Sequence, residues 1–228
     1  MLFRSPTIDG TVEEGEYSVK IVLDEDDIIY KDHTFDESET IKNLARVFAG
    51  EVQDGARYQF LGQMAANEGY NYFQTLCKTL AKNEMAHAKA VYQLITNNCT
   101  KSISNIEICA GFPFKCGTLL EEIENSIENE KSEAENIYLE FATTADNEGF
   151  LEAGKLLREI ASVEECHMML LTQVYSKMKS NKLYKCSCDT KWKCSNCGFE
   201  HSSKEPWAIC PLCVSPQGYV EISINTGE

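Results

Sequence analysis

The chain has 228 residues, of which 43% are hydrophobic and 25% are charged, as in ordinary globular proteins. Its formal net charge is -15, and such an acidic surface repels nucleic acids and anionic lipids. The sequence holds no apolar run of about eighteen residues, so we expect no membrane-spanning helix, and its start lacks the apolar stretch of a secretory signal. These properties predict a cytoplasmic protein with one large domain and a small additional one.

Cysteine usage is the unusual feature of the composition. The chain has 11 cysteines, an odd number, and six of them lie between positions 186 and 213. An odd count without an export signal is evidence against a disulfide framework. Clustered thiols in a reducing compartment indicate a metal site instead.

The apolar periodicity divides the chain into three parts. Residues 1–37 form an acidic N-terminal extension with one possible strand at residues 17–23. Residues 38–180 show the spacing of two helical hairpins joined by a long crossover, with Ser38 as the expected N-cap. Residues 181–228 lose this spacing and gain cysteines and prolines, which predicts a small domain stabilised by a metal.

An internal repeat relates the two hairpins. An offset of 80 places Tyr58 on Tyr138 and the segment Asn67-Glu68-Gly69 on Asn147-Glu148-Gly149, where each hairpin is predicted to turn. The same offset aligns Glu84 with Glu164 and His87 with His167. Two similar helical hairpins joined by a long crossover predict an all-α four-helix bundle of the ferritin-like type.

Each hairpin carries one Glu-x-x-His motif, Glu84-Met-Ala-His87 and Glu164-Glu-Cys-His167. Residues at i and i+3 share a helix face, so each motif presents a carboxylate and an imidazole to one metal ion. A single such motif is most often a solvated helix face. Two copies at matched positions of a repeat favour a pair of metal ions instead.

Further carboxylates are needed to balance two cations in a bundle core. Glu51 lies two turns before Tyr58, and Glu130 and Glu133 occupy the comparable region of the third helix. Together with the two motif glutamates they make five carboxylates. With two ferrous or two ferric ions the net charge of the site then stays within about one unit of zero, as a buried site requires. Mixed oxygen and nitrogen ligands favour iron or manganese.

One register does not fit the repeat. The offset of 80 places Lys131, and not Glu130, opposite Glu51. One extra residue in the third helix before Tyr138 would restore the alignment, and a π-bulge inserts one residue in this way. We therefore predict a π-bulge in the third helix, whereas a regular α-helix through residues 128–140 would exclude it.

The C-terminal cysteines form two Cys-x-x-Cys knuckles. Cys194 and Cys197 are followed, after twelve residues, by Cys210 and Cys213, a spacing typical of a tetrathiolate metal site. Backbone N–H groups of such knuckles are expected to point at sulfur. Spacing does not distinguish iron from zinc, so a structural zinc ribbon stays open.

The remaining cysteines and histidines are assigned no chemistry. Cys186 and Cys188 could compete for the metal, but the knuckles already complete a tetrahedron, so we interpret both as spare thiols. For Cys166 we expect buried packing rather than a place lining the site. The rest are interpreted as core or loop thiols (Cys77, Cys99, Cys109 and Cys116) and as surface histidines (His33 and His201).

The combined motifs resemble the rubrerythrin family, in which a ferritin-like di-iron bundle precedes a rubredoxin-like Fe(Cys)4 domain. The resemblance covers residues 38 to 221 and is carried by Asn43-Leu-Ala-Arg-Val-Phe-Ala-Gly-Glu51, Arg57-Tyr58, Glu68-Gly69, Glu84-x-x-His87, Glu130-x-x-Glu133, Tyr138, Phe141-Ala142, Glu148-Gly149-Phe150, Glu164-x-x-His167 and the four knuckle cysteines. The extension before residue 38 and the Cys186/Cys188 pair depart from the family pattern.

The resemblance implies which residues hold the metals. The di-iron ligands would be Glu51, Glu84, His87, Glu130, Glu133, Glu164 and His167, and the tail iron, or zinc, would be held by Cys194, Cys197, Cys210 and Cys213. Glu133 would be mobile and exchange with His87 as the oxidation state changes. Tyr58 and Tyr138 would hydrogen-bond the ligating carboxylates.

The resemblance also implies a peroxidase that reduces hydrogen peroxide to water. Two ferrous ions supply the two electrons together, Glu133 or a tyrosine relays a proton, and the tail returns electrons one at a time. An external NAD(P)H-dependent reductase or rubredoxin would feed the tail. A homodimer or higher oligomer, paired head to tail, would bring each tail near the partner's site.

Two other functions are compatible with parts of the sequence. An iron-oxidising storage protein shares the bundle but needs no electron inlet, so the tail argues against it. An electron carrier, with a structural zinc ribbon and the bundle as scaffold, would not need the duplicated ligand set.

Overall fold

The computed structural model describes residues 34–100, 105–109, 111–114 and 117–224. After a short 3-10 turn, Phe35–Glu37, the elements in chain order are α1 (Glu39–Asn67), α2 (Asn71–Asn98), α3 (Leu119–Ser132), a π-helical turn (Glu133–Ile137), α4 (Tyr138–Asn147), α5 (Leu151–Lys179), β1 (Thr190–Lys193) and β2 (Glu200–Ser203). The strand predicted at residues 17–23 lies outside the described residues.

Local sequence signals explain where the helices begin and end. The Ser38 hydroxyl accepts a hydrogen bond from a backbone N–H of the first turn of α1, which confirms the predicted N-cap. Thr118 and Glu121 form a reciprocal capping box at the start of α3. Gly69 and Gly149 follow the ends of α1 and α4 with φ of +86° and +87°, a conformation that glycine adopts without strain. Both predicted hairpin breaks are therefore confirmed.

The long helices form the predicted four-helix bundle. α1 packs on α2, and α5 packs on the third helix, which runs from α3 through the π-helical turn into α4. Two apolar clusters fill the bundle, one around Leu44, Val91 and Leu157 and the other around Leu61 and Leu171. Along each helix the buried glutamates lie between these clusters, so apolar layers close the acidic layer on both sides.

The π-helical turn lies in the third helix, where the repeat register requires one additional residue. It spans Glu133–Ile137 between α3 and α4. The predicted π-bulge is therefore confirmed. Its effect is that Glu130 before the turn and Tyr138 after it both face the bundle interior.

The C-terminal residues fold onto one end of the bundle. β1 and β2 form an antiparallel pair with Trp192 buried beneath it. Ile222 joins the apolar cluster around Leu61, and Gly218 packs against the backbone of Gly69. The bundle and this domain form one compact unit that begins at Thr34.

Phe35 belongs to the bundle core. Its ring is buried and lies 5.1 Å from that of Phe150 in an edge-to-face arrangement. Residues 34–37, which were predicted to belong to the N-terminal extension, thus lie in the same compact unit as the bundle. Among the described helices, none combines the length and the apolar character that crossing a bilayer requires.

Candidate metal centres

The first candidate centre brings together residues from three helices. It consists of Glu51 from α1, Glu84 and His87 from α2 and Glu164 from α5, and we call these four residues the first group. His87 Nδ1 lies 3.2 Å from Glu51, 3.1 Å from Glu84 and 3.0 Å from Glu164. The i, i+3 spacing of Glu84 and His87 places both side chains on the inner face of α2.

A second group lies beside the first and shares two of its members. It consists of Glu84, Glu130, Glu164 and His167. His167 Nδ1 lies 3.0 Å from Oε1 of Glu84 and 2.7 Å from Oε2 of Glu164. The other oxygens of these two carboxylates, Oε2 of Glu84 and Oε1 of Glu164, face His87 in the first group. Glu84 and Glu164 can therefore each bridge two metal ions, while Glu51 and Glu130 each serve one.

The chemistry of these groups fits a pair of cations. All four glutamates are about 1% exposed, and the two imidazole rings are 6.0 Å apart. Oxygens of Glu84, Glu130 and Glu164 and the Nδ1 of His167 are buried without a hydrogen-bond partner. His167 Nδ1 approaches Glu164 to 2.7 Å and yet makes no hydrogen bond to it. Buried polar atoms of this kind need a ligand, and two cations would satisfy them.

Without metal, protons partly compensate the buried charge. Burial raises the pKa of Glu51 and of Glu130 to about 8. Burial favours the neutral imidazoles, but the surrounding carboxylates outweigh it and raise the pKa of His87 to about 11 and that of His167 to about 12. Burial likewise opposes ionisation of Glu164, but the adjacent imidazoles lower its pKa to about 2. The metal-free site thus holds protons where cations would otherwise lie.

Two buried tyrosines orient the unshared carboxylates. Tyr138 donates a 2.7 Å hydrogen bond to Oε1 of Glu51, and Tyr58 donates one to Oε1 of Glu130. Burial and the adjacent carboxylate raise the pKa of each tyrosine well above its usual value, so both stay protonated donors. The pairing expected between these tyrosines and the carboxylates is present.

Glu133 is buried in the same layer but belongs to neither group. Its Oε2 accepts a 3.0 Å hydrogen bond from Asn129, which lies one helical turn earlier. Asp54, only 4% exposed, accepts a second hydrogen bond from the same amide at 3.2 Å. Asp54 belongs to none of the motifs recognised in the sequence. The available signal was its position three residues after Glu51, which repeats the spacing from Glu130 to Glu133.

The four knuckle cysteines converge as their spacing predicts. The Sγ atoms of Cys194, Cys197, Cys210 and Cys213 lie within 4.8 Å of one another. Each sulfur of one knuckle lies close to a sulfur of the other. The Sγ atoms are 3.7 Å apart in Cys194 and Cys213 and also in Cys197 and Cys210. Four sulfur atoms at this separation match a tetrahedral tetrathiolate site.

Hydrogen bonds to sulfur prepare this cluster for a metal. Backbone N–H groups reach Cys194, Cys197 and Cys213, which confirms the expected knuckle geometry. The side chain and backbone of Ser215 lower the pKa of Cys213 to about 5, which favours the thiolate that a metal requires. Asn196 adds a 3.6 Å contact to the same sulfur.

Cys166 corrects one expectation. Its side chain is exposed, not packed in the core, and it lines a surface pocket with Asn83, Leu170 and Ile224. The physical reason is its place on α5: Glu164 and His167 face inward three residues apart, and the two residues between them, Glu165 and Cys166, turn outward.

The other residues without assigned chemistry lie outside both centres. Cys186 and Cys188 belong to neither candidate centre, and His201 is exposed as expected. Cys77 is buried, Cys99 is half-buried and Cys109 is exposed. Cys116 and His33 lie outside the described residues.

The bundle and its two centres define a ferritin-like metalloprotein with a rubredoxin-like C-terminal domain. The family model described as "Rubrerythrin" matches residues 42–175 and 121–193, and the model "Rubrerythrin, rubredoxin-like domain" matches residues 192–221. The chain therefore belongs to the rubrerythrin family.

Individual relatives agree with this assignment. The rubrerythrin of Clostridium perfringens is 33% identical over 190 residues, which cover 83% of this chain and 96% of that protein. The rubrerythrin of Porphyromonas gingivalis is 32% identical and covers 81% of this chain and 90% of its own length.

Solved structures show the same fold. A mixed-valence nigerythrin superposes with a TM-score of 0.54 at 20% identity and covers 89% of this chain and 97% of its own. A Desulfovibrio desulfuricans bacterioferritin superposes with a TM-score of 0.52 at 18% identity and covers 63% and 82% of the two chains.

Family membership and geometry together identify the kind of cofactor. The bundle carries a carboxylate-rich di-iron site, and the C-terminal domain carries a four-cysteine iron site. The protein is an iron-binding oxidoreductase.

Proposed function

We propose that this protein reduces hydrogen peroxide to two waters at the di-iron site of the bundle. The observation that carries the proposal is the sharing of Glu84 and Glu164, each of which turns one oxygen to His87 and the other to His167. This geometry would hold two metal ions side by side. When bound, two ferrous ions supply together the two electrons that cleavage of the O–O bond requires.

Seven side chains of the bundle would hold the iron. Glu51 and His87 would hold one ion, Glu130 and His167 would hold the other, and Glu84 and Glu164 would reach both. Glu133 would be the seventh, mobile ligand and would exchange with His87. Its carboxyl lies off both groups in the arrangement described here, whereas His87 lies within the first group.

Glu133 is also the proposed proton donor. Reduction of peroxide to two waters consumes two protons along with the two electrons. Burial, together with the nearby carboxylates of Asp54 and Glu130, raises the pKa of Glu133 well above its usual value, which favours the protonated form. Tyr58 and Tyr138 stay protonated in the same layer and keep the carboxylates oriented. Glu133 therefore supplies one of the two protons beside the metal site, and solvent supplies the second.

The C-terminal iron would return electrons to the oxidised site, one at a time. We propose an external NAD(P)H-dependent reductase or rubredoxin as their source. Cys197 is exposed and Cys213 is half-buried, so one edge of the cluster is open to a donor. We propose a cytoplasmic location, where such donors occur. The ten described cysteines form no disulfide, as is usual in that reducing compartment.

A head-to-tail homodimer would connect the two iron sites. The C-terminal domain packs at the α1–α2 turn, where Gly218 meets Gly69. Glu51 lies sixteen residues before Asn67, the last residue of α1. This separation corresponds to about 24 Å along the helix axis. This separation supports delivery to the partner's site rather than to the same chain's own.

Substitution of a bridging glutamate tests the peroxidase. In Glu164→Ala, NADH-coupled peroxide turnover should fall by at least about a hundredfold, because one bridge between the ions is lost. The visible absorption of the four-cysteine iron should be retained. Glu165→Ala is the matched control, since this neighbouring glutamate is exposed. Unchanged turnover in Glu84→Ala and Glu164→Ala would exclude the proposal.

A tail variant separates the peroxidase from an iron-storage protein. Cys197→Ser should abolish NADH-coupled turnover, because the electron inlet is lost. A single turnover of peroxide by chemically reduced bundle iron should remain. Dioxygen-driven deposition of ferric mineral that proceeds equally well in Cys197→Ser, without peroxide turnover in the wild type, would favour storage instead.

A further inference from the structure

Asp54 is the counterpart of Glu133 in the internal repeat. The π-helical turn changes the repeat offset from 80 after the turn to 79 before it. With that offset Glu51 corresponds to Glu130, and Asp54 corresponds to Glu133. Tyr58 contacts Glu130 and Tyr138 contacts Glu51, so α1 and the third helix pass each other in opposite directions. Asp54 and Glu133 consequently lie close together near the middle of the interface between α1 and the third helix, which we call the seam.

One amide joins the two carboxyl groups. Asn129 Nδ2 donates at 3.2 Å to Oδ1 of Asp54 and at 3.0 Å to Oε2 of Glu133. A third contact anchors Asp54, because Arg57 lies 3.0 Å from the same Oδ1 atom. The side chains of Arg57 and Asp54 are only 14% and 6% exposed, so water screens this ion pair little.

The anchor is itself held in place. The guanidinium of Arg57 lies 5.1 Å from the ring centroid of Phe112, a cation–π arrangement. Asp54 is thus a fixed acceptor at the point where the Glu133 carboxyl lies when it is off the metal groups.

We infer that Asp54 is a positioning residue that, through Asn129, holds the Glu133 carboxyl away from the iron and so favours His87 as the ligand. This inference rests on the proposed function, in which Glu133 and His87 exchange. The structure shows the arrangement that Asp54 favours, with His87 inside the first group and Glu133 outside it. Loss of a partner that exists in only one of two states shifts the population toward the other state.

The test uses the full-length protein loaded with Fe²⁺ and measures its proton NMR spectrum. Both imidazoles face the groups through Nδ1, so each ligating histidine leaves an Nε2–H that exchanges with solvent. The wild type should show two paramagnetically shifted exchangeable signals, of which the His87 signal is identified by its loss in His87→Ala. In Asp54→Ala, the ratio of His87-bound to Glu133-bound protein should fall by about tenfold or more, with the His167 signal retained.

Three variants make the test specific. Asn129→Ala should weaken the His87 signal in the same direction, and it provides the result if Asp54→Ala does not fold. In a Glu133→Ala background, Asp54→Ala should leave the His87 signal unchanged, because no competing ligand remains. Asp146→Ala is the control, since it removes an Asp–Arg ion pair of 2.6 Å that belongs to neither group.

The outcomes separate the inference from the proposed function. An unchanged His87 signal in both Asp54→Ala and Asn129→Ala would overturn the inference, as would an equal loss in the Glu133→Ala background. A wild-type spectrum without the His87 signal would also overturn it. If the signals change as expected but the wild type reduces no peroxide, the proposed function fails while the positioning role of Asp54 stands.

Discussion

The hydroxyl of Tyr138 donates a 2.7 Å hydrogen bond to Oε1 of Glu51, across the seam between the third helix and α1. The bond occupies one oxygen of the carboxylate and leaves Oε2 directed at His87, 3.2 Å away. Tyr58 makes the corresponding bond to Glu130 on the other side of the site. Each unshared carboxylate therefore reaches the metal groups with one oxygen already fixed.

Replacement of Tyr138 by Phe should loosen the first group. The buried Glu51 loses its donor, and an unsatisfied buried acceptor costs about 1–3 kcal/mol. We expect the free energy of unfolding of the iron-loaded protein to fall by this amount and iron affinity to fall with it. Chemical denaturation and calorimetric iron titration measure the two effects.

Tyr175→Phe is the matched control for that variant. The Tyr175 hydroxyl also donates to a glutamate, Glu124, at 2.5 Å, but the pair is exposed. Its loss should change stability by no more than about 0.5 kcal/mol. Equal effects in the two variants would show that the Tyr138 bond does not support the metal site.

Iron binding to the metal-free protein should release protons. His87 and His167, with pKa values raised to about 11 and about 12, are protonated at pH 7, and so are most Glu51 and Glu130 carboxyls, with pKa values of about 8. Iron needs the deprotonated forms, so raising the pH must favour binding. Between pH 6 and 8 the affinity should rise about tenfold per pH unit for each proton released.

Titration calorimetry in two buffers of different ionisation enthalpy counts these protons. The observed heat of Fe²⁺ binding should change with the buffer in the sense of proton release. As a control, His201→Ala should release the same number, since this histidine is exposed and far from both groups in sequence. A heat that does not depend on the buffer would contradict the expected protonation of the metal-free site.

The metal-binding parts of the structure could be predicted from the sequence because they depend on spacing. The Glu-x-x-His motifs and the cysteine knuckles need only the helical repeat and the short loop between paired ligands, and both are local. The π-helical turn was predictable for a related reason: Lys131 stood where the repeat required Glu130, and one inserted residue restores the match. The internal repeat therefore allowed a single inserted residue to be located from the sequence.

Features that depend on packing between distant segments could not be predicted. Asp54 has no motif of its own, and its meeting with Asn129 requires α1 and α3 to be placed side by side. The close approach of Gly218 to Gly69 likewise follows only from the docking of the C-terminal domain. The outward direction of Cys166 was available from helical geometry, but its apolar character favoured the wrong interpretation.

Gly218→Ala should release the C-terminal domain from the bundle. A Cβ at this position would overlap the carbonyl oxygen of Gly69, and backbone cannot move aside as a side chain can. We expect a loss of about 1–3 kcal/mol in stability. Trypsin should cleave faster at Lys182 and Lys185, while helical content and the absorption of the four-cysteine iron remain.

The control for Gly218→Ala is Gly111→Ala, where a Cβ meets no atom within 4 Å. Its cleavage rate should equal that of the wild type. If Gly218→Ala also cleaves at the wild-type rate, the close contact with Gly69 does not hold the domain.

Deletion of Asn136 tests whether the π-helical turn is needed to assemble the site. Asn136 is exposed within Glu133–Ile137, so its loss removes no core contact and lets the third helix continue as a regular α-helix. Each residue turns an α-helix by about 100°, so after the deletion Glu130 and Tyr138 are seven residues apart and both still face inward, as Glu51 and Tyr58 do in the regular helix α1. We therefore expect a folded, fully helical bundle that binds two irons per chain in the bundle, with the four-cysteine iron retained. Asn136→Ala, which keeps the extra residue, should also bind iron normally. Loss of the bundle iron after the deletion alone would mean that the π-helical turn itself, and not only the inward direction of Glu130 and Tyr138, is needed to assemble the site.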